Sequence, residues 1–414
     1  MKILFLGINY KPELTGIGKY SGEMAPWLAL NKLHHITFIT APPYYPDWRI
    51  GAGYSAYWYK AEQAEGVDII RCPLYVPAEV TTLKRILHLL SFAISSCFAL
   101  LAKITLRPDV VVVVVPTLFC APFALLYAKL SGAKSIIHIQ DYELDAMLGL
   151  QMNSSLKQDG LVARCAKSIE RFLLRRFDRV STISYSMLAL AEAKGVDAEK
   201  LIFFPNWVDT SFITPDACDD IYRQQWGIAQ TDKVVLYSGN IGNKQGLELV
   251  LDAAAHFAEQ PSVKFVVVGQ GAYRSTLELM AQERQLHNLQ FRDLVPYADL
   301  PSLMAMADVH LVVQKRGAAD VVLPSKLTSI LSAGGHALIT AEPATELGLL
   351  CDKYPGIATC VMPECVDSFV GGLQELLLKD TRVTNTVARG YALAHLNKDA
   401  VLEKFNQELT GLNQ

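Results

Sequence analysis

The sequence predicts two doubly wound α/β domains, each a parallel sheet covered by helices on both faces. Three observations predict it. The 414 residues are too many for one ordinary core and suit two domains of about 200 residues each. Short apolar runs that end in loops alternate with longer amphipathic stretches, first over residues 1–205 and again over 206–397. The run Val110–Val115 is six consecutive valines. Apolar character on both faces, with β-branching throughout, marks a central parallel strand buried on both sides.

In the first series, strands are predicted at Lys2–Tyr10, His35–Thr40, Asp68–Val76, Asp109–Val115, Ser135–Asp141 and Arg179–Ser184. The stretch Phe204-Pro205-Asn206-Trp207-Val208-Asp209 closes that series, and its Pro and Asn suit a linker. The second series has strands at Lys233–Gly239, Val263–Gly269, Leu289–Asp293, Val309–Gln314, His336–Thr340 and Ala358–Met362. Open parallel sheets bind ligands at the carboxyl ends of their strands, so a cleft between two such domains is the expected site.

Composition narrows the class. Hydrophobic residues make up 51% and charged residues 19%, which describes a chain that buries a large core rather than a disordered one. The start, Met1 to Gly7, has neither a basic segment nor a small-residue cleavage site, so secretion is not expected. Eight scattered cysteines without a C-x-x-C pair argue against a zinc site and a disulfide framework, and fit a reducing cytosol. The net charge of −3 hides an asymmetry: 22 Lys and Arg stand against 17 Asp and Glu through Pro205, and 16 against 24 after it. A basic first half is the one to approach an anionic membrane or substrate, unless the unevenness is chance. No nucleic-acid partner is expected.

Three glycine-rich turns follow predicted strands. The first, Tyr10 to Tyr20, holds Gly16 and Gly18 at a helix start, where backbone N–H groups can approach an anion; a plain turn has the same look. It is neither G-x-G-x-x-G after a strand nor a Walker A loop, which disfavours a dinucleotide cofactor or a P-loop. The second, Tyr237 to Gly246, contains Gly239, Asn240 and Lys244, with the lysine at a predicted helix start suited to gripping a diphosphate. The third is Gly269-Gln270-Gly271. Further on, Pro324 and Ser325 open a helix whose first turn carries Lys326. A cation there opposes the helix dipole unless an anion is present too, so Lys326 is read as a phosphate ligand, and Lys315 and Arg316 as a solvated pair.

The strand Ile136–Gln140 leads into Asp141-Tyr142-Glu143. Asp141 either faces the cleft, where it stabilises a positively charged sugar-like transition state, or caps the next helix. The sequence holds no D-x-D and no His/Asp pair at metal-ligand spacing, so neither a metal nor another cofactor is expected.

Together these segments resemble glycosyltransferase family 4, whose members are retaining enzymes of the GT-B fold, two Rossmann-like domains facing across a cleft. The resemblance covers nearly the whole chain. It rests on Gly7–Tyr10 with Pro12–Tyr20, Thr40–Pro46, His138–Glu143, Tyr237–Gly242 and Gln314–Leu327. It implies that Gly16 approaches the donor diphosphate from one domain and Lys244 from the other. It further implies that Gly269 to Gly271 shape the pocket, that Val295 lies near the base, and that the last helix, from Lys398, packs back on the first domain. Two departures stand out. Where the family has an E-x7-E pair, this chain has Val321 and Ser329, with Asp320 as the stand-in for the first acid. Where it often has a histidine, this chain has Gln140, which leaves Asp141 as the catalytic candidate.

The resemblance implies GDP-fucose as donor and a lipid-linked oligosaccharide as acceptor in exopolysaccharide biosynthesis, at the cytoplasmic face of the inner membrane. A sugar-nucleotide epimerase, a phosphorylase or a non-catalytic nucleotide-sugar scaffold are the alternatives. Finally, Ile86–Ala102 carries no formal charge. It falls short of the length of about 20 apolar residues that a span needs, and it lies between two strands of one sheet. It is read as a crossover helix packed on the valine strand, or as that helix with an outer face touching lipid.

Overall fold

The computed structural model describes residues 1–13, 16–145, 160–218, 220–317 and 323–412. The chain divides into two compact units, Met1–Pro205 with Leu402–Gln414, and Asn206–Val401.

The first unit is an eight-stranded sheet: β1 (Lys2–Gly7), β2 (His35–Thr40), β3 (Lys60–Ala64), β4 (Val67–Arg71), β5 (Val110–Val115), β6 (Lys134–Ile139), β7 (Arg179–Thr182) and β8 (Leu201–Phe203), in the order β3-β4-β2-β1-β5-β6-β7-β8. Every pairing is parallel except β3 with β4. The valine strand lies between β1 and β6 and is buried along its whole length. Strand order reverses at β1 and β5, and the carboxyl ends of those strands form the switch point where such sheets bind ligands.

Two strands escaped the sequence pattern. β3 reads KAEQA and is polar throughout, so it has no apolar alternation; as an edge strand, its charged residues blunt further pairing. β8 is only three residues long. The strand expected to reach Val76 stops at Arg71, just before Pro73, which cannot donate to a ladder.

Helix α1 (Gly16–Lys32) follows β1, and α2 (Thr82–Ala102) joins β4 to β5. The side chain of Thr81 caps α2 by accepting from the Lys84 N–H. One face of α2, with Leu89, Phe92, Ala93, Ala99 and Leu100, is buried in the unit, so it is a crossover helix. It is also long and apolar enough to cross a membrane by length and composition alone. Next come α3 (Ala121–Ser131), α4 (Leu161–Leu174) and α5 (Tyr185–Ala193).

The second unit is a six-stranded, wholly parallel sheet: β9 (Lys233–Ser238), β10 (Val263–Val268), β11 (Leu289–Arg292), β12 (Val309–Val312), β13 (Ala337–Thr340) and β14 (Thr359–Val361), in the order β11-β10-β9-β12-β13-β14. Its switch point lies between β9 and β12. Two apolar clusters form its core; one includes Val234, Leu236, Val266 and Leu331, the other Val235, Tyr237, Phe265 and Leu373. The principal helices here are α6 (Glu248–His256), α7 (Arg274–Glu283) and α8 (Ser325–Ser332). The last helix, α9 (Lys398–Gly411), starts in this unit and belongs to the first from Leu402 onward. Phe405 stacks on Phe204 at 4.0 Å between ring centres, and Lys32 pairs with Glu403 at 2.5 Å.

Candidate active site

At the switch point of the first unit, β1 ends at Gly7, where a Cβ would lie 3.1 Å from that of Val114 on the neighbouring strand. The loop beyond is held by Glu13. One carboxylate oxygen accepts from Asn9 Nδ2 at 2.8 Å, and the other accepts the backbone N–H groups of Tyr44 and Tyr45, both at 2.9 Å. The carboxylate ties the loop after β1 to the loop after β2. Burial raises its pKa above the ordinary value. Replacing Glu13 by alanine leaves three donors without their acceptor, so a loss on the order of 3 kcal/mol is expected in urea unfolding. An unchanged unfolding midpoint would refute the latch.

The two glycines of this loop differ. Gly16 is exposed, with φ +57° in the left-handed region, and opens α1, so its backbone can approach a ligand. Gly18 is buried, and a Cβ there would lie 2.7 Å from Glu13 Cβ. Its small size serves the latch, which corrects its assignment to ligand approach.

Beyond β6, His138 accepts or donates between Ser181 Oγ at 2.9 Å and Gln140 Nε2, also at 2.9 Å. Burial pushes its pKa down to about 3, so it is a neutral core residue. Gln140 is buried against it. Asp141, next in sequence, is exposed at the carboxyl edge of the sheet. Glu143, which sequence reasoning did not single out, is buried, with one oxygen 3.4 Å from the Leu118 N–H and the other without a hydrogen-bond partner among the described residues. Burial lifts its pKa to about 7. Its placement depends on burial, and nothing in a run of acids after a strand announces that.

In the second unit, the loops after β9 and β10 lie against each other. The Gly239 N–H donates to Val268 O at 2.9 Å, and the Ile241 N–H to Gln270 O at 2.8 Å. A Cβ at Gly269 would lie 1.9 Å from Gly239 O, and one at Gly271 would lie 2.2 Å from Ile241 O. These glycines are required by backbone packing between two loops, and through it they set the shape of the switch point. Arg274 braces the same turn from α7, donating to Gly269 O at 2.8 Å and to Asp293 at 2.5 Å.

Lys244 is not at a helix start. It lies on a three-residue 3-10 turn, Asn243–Gln245, which Gly246 ends at φ +64°, and α6 begins only at Glu248. The lysine is therefore exposed on a turn, without a helix dipole behind it. Lys315 is also not a solvated residue: it donates to Asn243 Oδ1 at 2.7 Å and pairs with Glu248 at 3.4 Å, fastening the segment after β12 to the loop after β9. Arg316 is exposed, its backbone N–H 3.3 Å from Glu364. Asn240 is exposed, and its carbonyl accepts from the Tyr237 hydroxyl at 2.7 Å.

Lys326 is the unusual group. From the first turn of α8 its Nζ reaches back over the face of Tyr237, 3.8 Å from the ring centre. It lies beside Gly239, where an added Cβ would meet it at 3.1 Å. Among the described residues no acceptor or carboxylate meets this amine, and burial lowers its pKa to about 7. A cation–π contact offsets only part of the cost of a desolvated charge. An anion placed at the Gly239 turn would supply the missing partner.

Of the other sequence candidates, Ser329 is half-buried on α8 and Val295 is half-buried against the apolar core. Asp320, with Val321, lies outside the described residues. The structure thus gathers Gly239, Asn240, Lys244, Gly269, Gly271 and Lys326 around one edge of the second sheet. Gly16 and Asp141 lie at the carboxyl edge of the first.

Residues 15–207 match the model of the glycosyl transferase 4-like domain, and residues 219–391 that of the glycosyl transferases group 1. The chain is 54% identical over 99% of its length to all of WcaI of Escherichia coli (strain K12), named as a colanic acid biosynthesis glycosyl transferase. It is 24% identical, over 71% of its length and 74% of the relative's, to a protein of Corynebacterium glutamicum. That protein is named GDP-mannose-dependent monoacylated alpha-(1-6)-phosphatidylinositol monomannoside mannosyltransferase. In fold it is similar to sucrose-phosphate synthase from Thermosynechococcus elongatus, with a TM-score of 0.77 at 16% identity, over 99% of this chain and 98% of that one.

Proposed function

The chain belongs to glycosyltransferase family 4, and on that premise we propose that it moves a sugar from a nucleoside diphosphate sugar, GDP-fucose, to a lipid-linked oligosaccharide in colanic acid biosynthesis. It is an enzyme with the GT-B fold. The observation that carries the donor class is the half-buried amine of Lys326, without an anionic partner among the described residues, at the switch point of the second sheet. A diphosphate is the anion that fits such a place, with the exposed amine of Lys244 as a second cation. The colanic acid setting is supported by the 54% identical relative. A guanine base and a lipid-borne acceptor are supported by the corynebacterial relative, whose name gives GDP-mannose as donor and a phosphatidylinositol mannoside as acceptor.

In this reading transfer proceeds with retention. The departing phosphate takes the acceptor's proton, while the enzyme supplies position and charge. Asp141 carries the negative charge set against the positive charge that develops on the sugar. The two lysines do the work of neutralising the leaving group, so no divalent ion or other cofactor takes part. The enzyme acts at the cytoplasmic face of the inner membrane, in peripheral contact with anionic lipid.

A thermal-shift panel of GDP, UDP and ADP in excess chelator tests donor and metal together. GDP at about 100 times its dissociation constant should stabilise the protein by about 2.7 kcal/mol, with smaller effects from the other two. Transfer from GDP-fucose should persist in the chelator. A shift from UDP with none from GDP would overturn the base, and turnover restored only by magnesium or manganese would overturn metal independence.

A further inference from the structure

A groove of about 1170 Å³ runs along the first unit, between α2 and the segment from Asp47 to Tyr59. This is larger than most ligand pockets, which span about 300–1,000 Å³. Trp48, Tyr54, Tyr57, Leu74, Ile94 and Phe98 supply much of its wall. Three of these are strongly exposed, Tyr57 at 82%, Phe98 at 61% and Ile94 at 56%. A contiguous apolar surface of this kind is seldom left uncovered in a soluble monomer.

Several polar atoms of the wall are already used within the frame. Tyr59 Oη donates to Ser95 O at 2.8 Å, and Ser95 Oγ donates to Pro73 O at 2.7 Å. Ser91 Oγ donates to His88 O at 2.7 Å and accepts the Tyr75 N–H at 3.0 Å. The groove therefore presents mostly carbon. A sugar or an extended peptide would leave part of its own donors and acceptors unmet there, at a cost of about 1–3 kcal/mol for each buried group. A hydrocarbon chain has none to satisfy.

Charge indicates the side from which such a chain arrives. Asp47 and Arg49 at the rim offset each other. The outer helices carry more cations than acids: α2 carries Arg85 and Lys84, the latter 4.0 Å from Glu79 just before the helix, and α3 carries Lys129, with no acid on either. On α4, Arg164, Lys167 and Arg171 accompany one acid, Glu170, which is buried and bonded to Lys194. Along α2 the exposed Leu83, Leu87, Leu90, Ile94, Phe98 and Leu101 form a stripe that continues into the groove. Apolar residues flanked by cations are the composition of a surface that rests in an anionic lipid interface.

The groove also reaches the candidate site of its own unit. Pro73 and Leu74 follow the carboxyl end of β4. Trp48 in the wall meets the ring of Tyr44 at 5.6 Å and that of His88 at 5.2 Å, and the Tyr44 N–H is held by Glu13 of the loop after β1. We propose that this groove seats the hydrocarbon chain of a lipid-borne acceptor, with its anionic head group directed to the carboxyl edge of the first sheet. The proposal rests on the lipid-linked acceptor of the proposed function and names the place that holds its chain.

The test is titration of the full chain with farnesyl monophosphate below its micellar concentration, followed by calorimetry. Ile94→Gln and Phe98→Gln change residues that are more than half exposed, so the fold stands. Together they should weaken binding at least about tenfold, because each removes apolar contact with the chain. Leu126→Gln with Leu130→Gln, exposed on α3 and outside the groove, should leave it unchanged. Inorganic phosphate should not compete. Unchanged affinity in the groove variants, or no binding of farnesyl monophosphate, overturns the proposal. So does a dimer in light scattering that those variants abolish, since a second copy would then be the occupant. Transfer to a water-soluble acceptor but not to a prenyl-linked one, with farnesyl monophosphate still bound in the groove, would instead count against the acceptor reading alone.

Discussion

Asp141→Asn is expected to lower transfer by about 10²–10³-fold, the scale on which removal of one aligned charge-stabilising group acts. The residue is exposed just beyond β6, at the carboxyl edge of the first sheet. Asparagine keeps the shape and removes the charge. Nucleoside diphosphate affinity should stay nearly unchanged, since the donor's phosphates are assigned to the second unit. Steady-state kinetics beside calorimetry separate the two effects. Wild-type turnover in the variant would mean that Asp141 serves only to end the strand or to cap the next turn of chain. A parallel loss of nucleotide affinity would mean that it belongs to the donor site.

Lys326→Met should weaken nucleoside diphosphate binding by about 1.5–3 kcal/mol, or roughly 10–150-fold, as expected for hydrogen bonds to a charged group. It should also change how the ligand-free protein responds to pH. Burial holds this amine at about 7 in the folded chain, against about 10.4 for an ordinary lysine. Between those values the unfolded chain binds the proton and the folded chain does not. Stability of the free protein should therefore rise as pH goes from about 7 toward 10, through this residue. The variant should lack that rise, and a bound diphosphate should suppress it in the wild type by restoring the charge. Urea unfolding across that range, with and without GDP, reads all three. Equal slopes for wild type and variant would show that Lys326 does not titrate in this range.

Much of the fold was legible because its signals are local. Six valines in a row can only be an inner strand, and β5 is buried from end to end. Strand ends predicted from glycine turns fall within a residue or two at β9 and β10, since a Cβ at Gly269 would collide with the loop beside it. The misses also have causes. β3 carries no apolar alternation, and β4 stops short at Pro73. Lys244 was placed at a helix start because the sequence shows only that a glycine-rich loop precedes a helix. Which turn the chain takes first depends on Gly246 and on Lys315, far off in sequence, fastening Asn243 and Glu248.

The sequence by itself determined the two βα series, the strand-end loops where ligands gather and the family to which their residues belong. Only the tertiary structure decided which charges lie buried and which polar atoms are already satisfied. It set Lys326 over Tyr237 without an acceptor among the described residues, Glu13 against the amides of Tyr44 and Tyr45, and Glu143 under the end of β6. It also turned the polar atoms of Tyr59 and Ser95 inward and left a mostly apolar wall beside α2. Periodicity is written in neighbouring residues, whereas desolvation and pairing arise between residues that the chain brings together only when it folds.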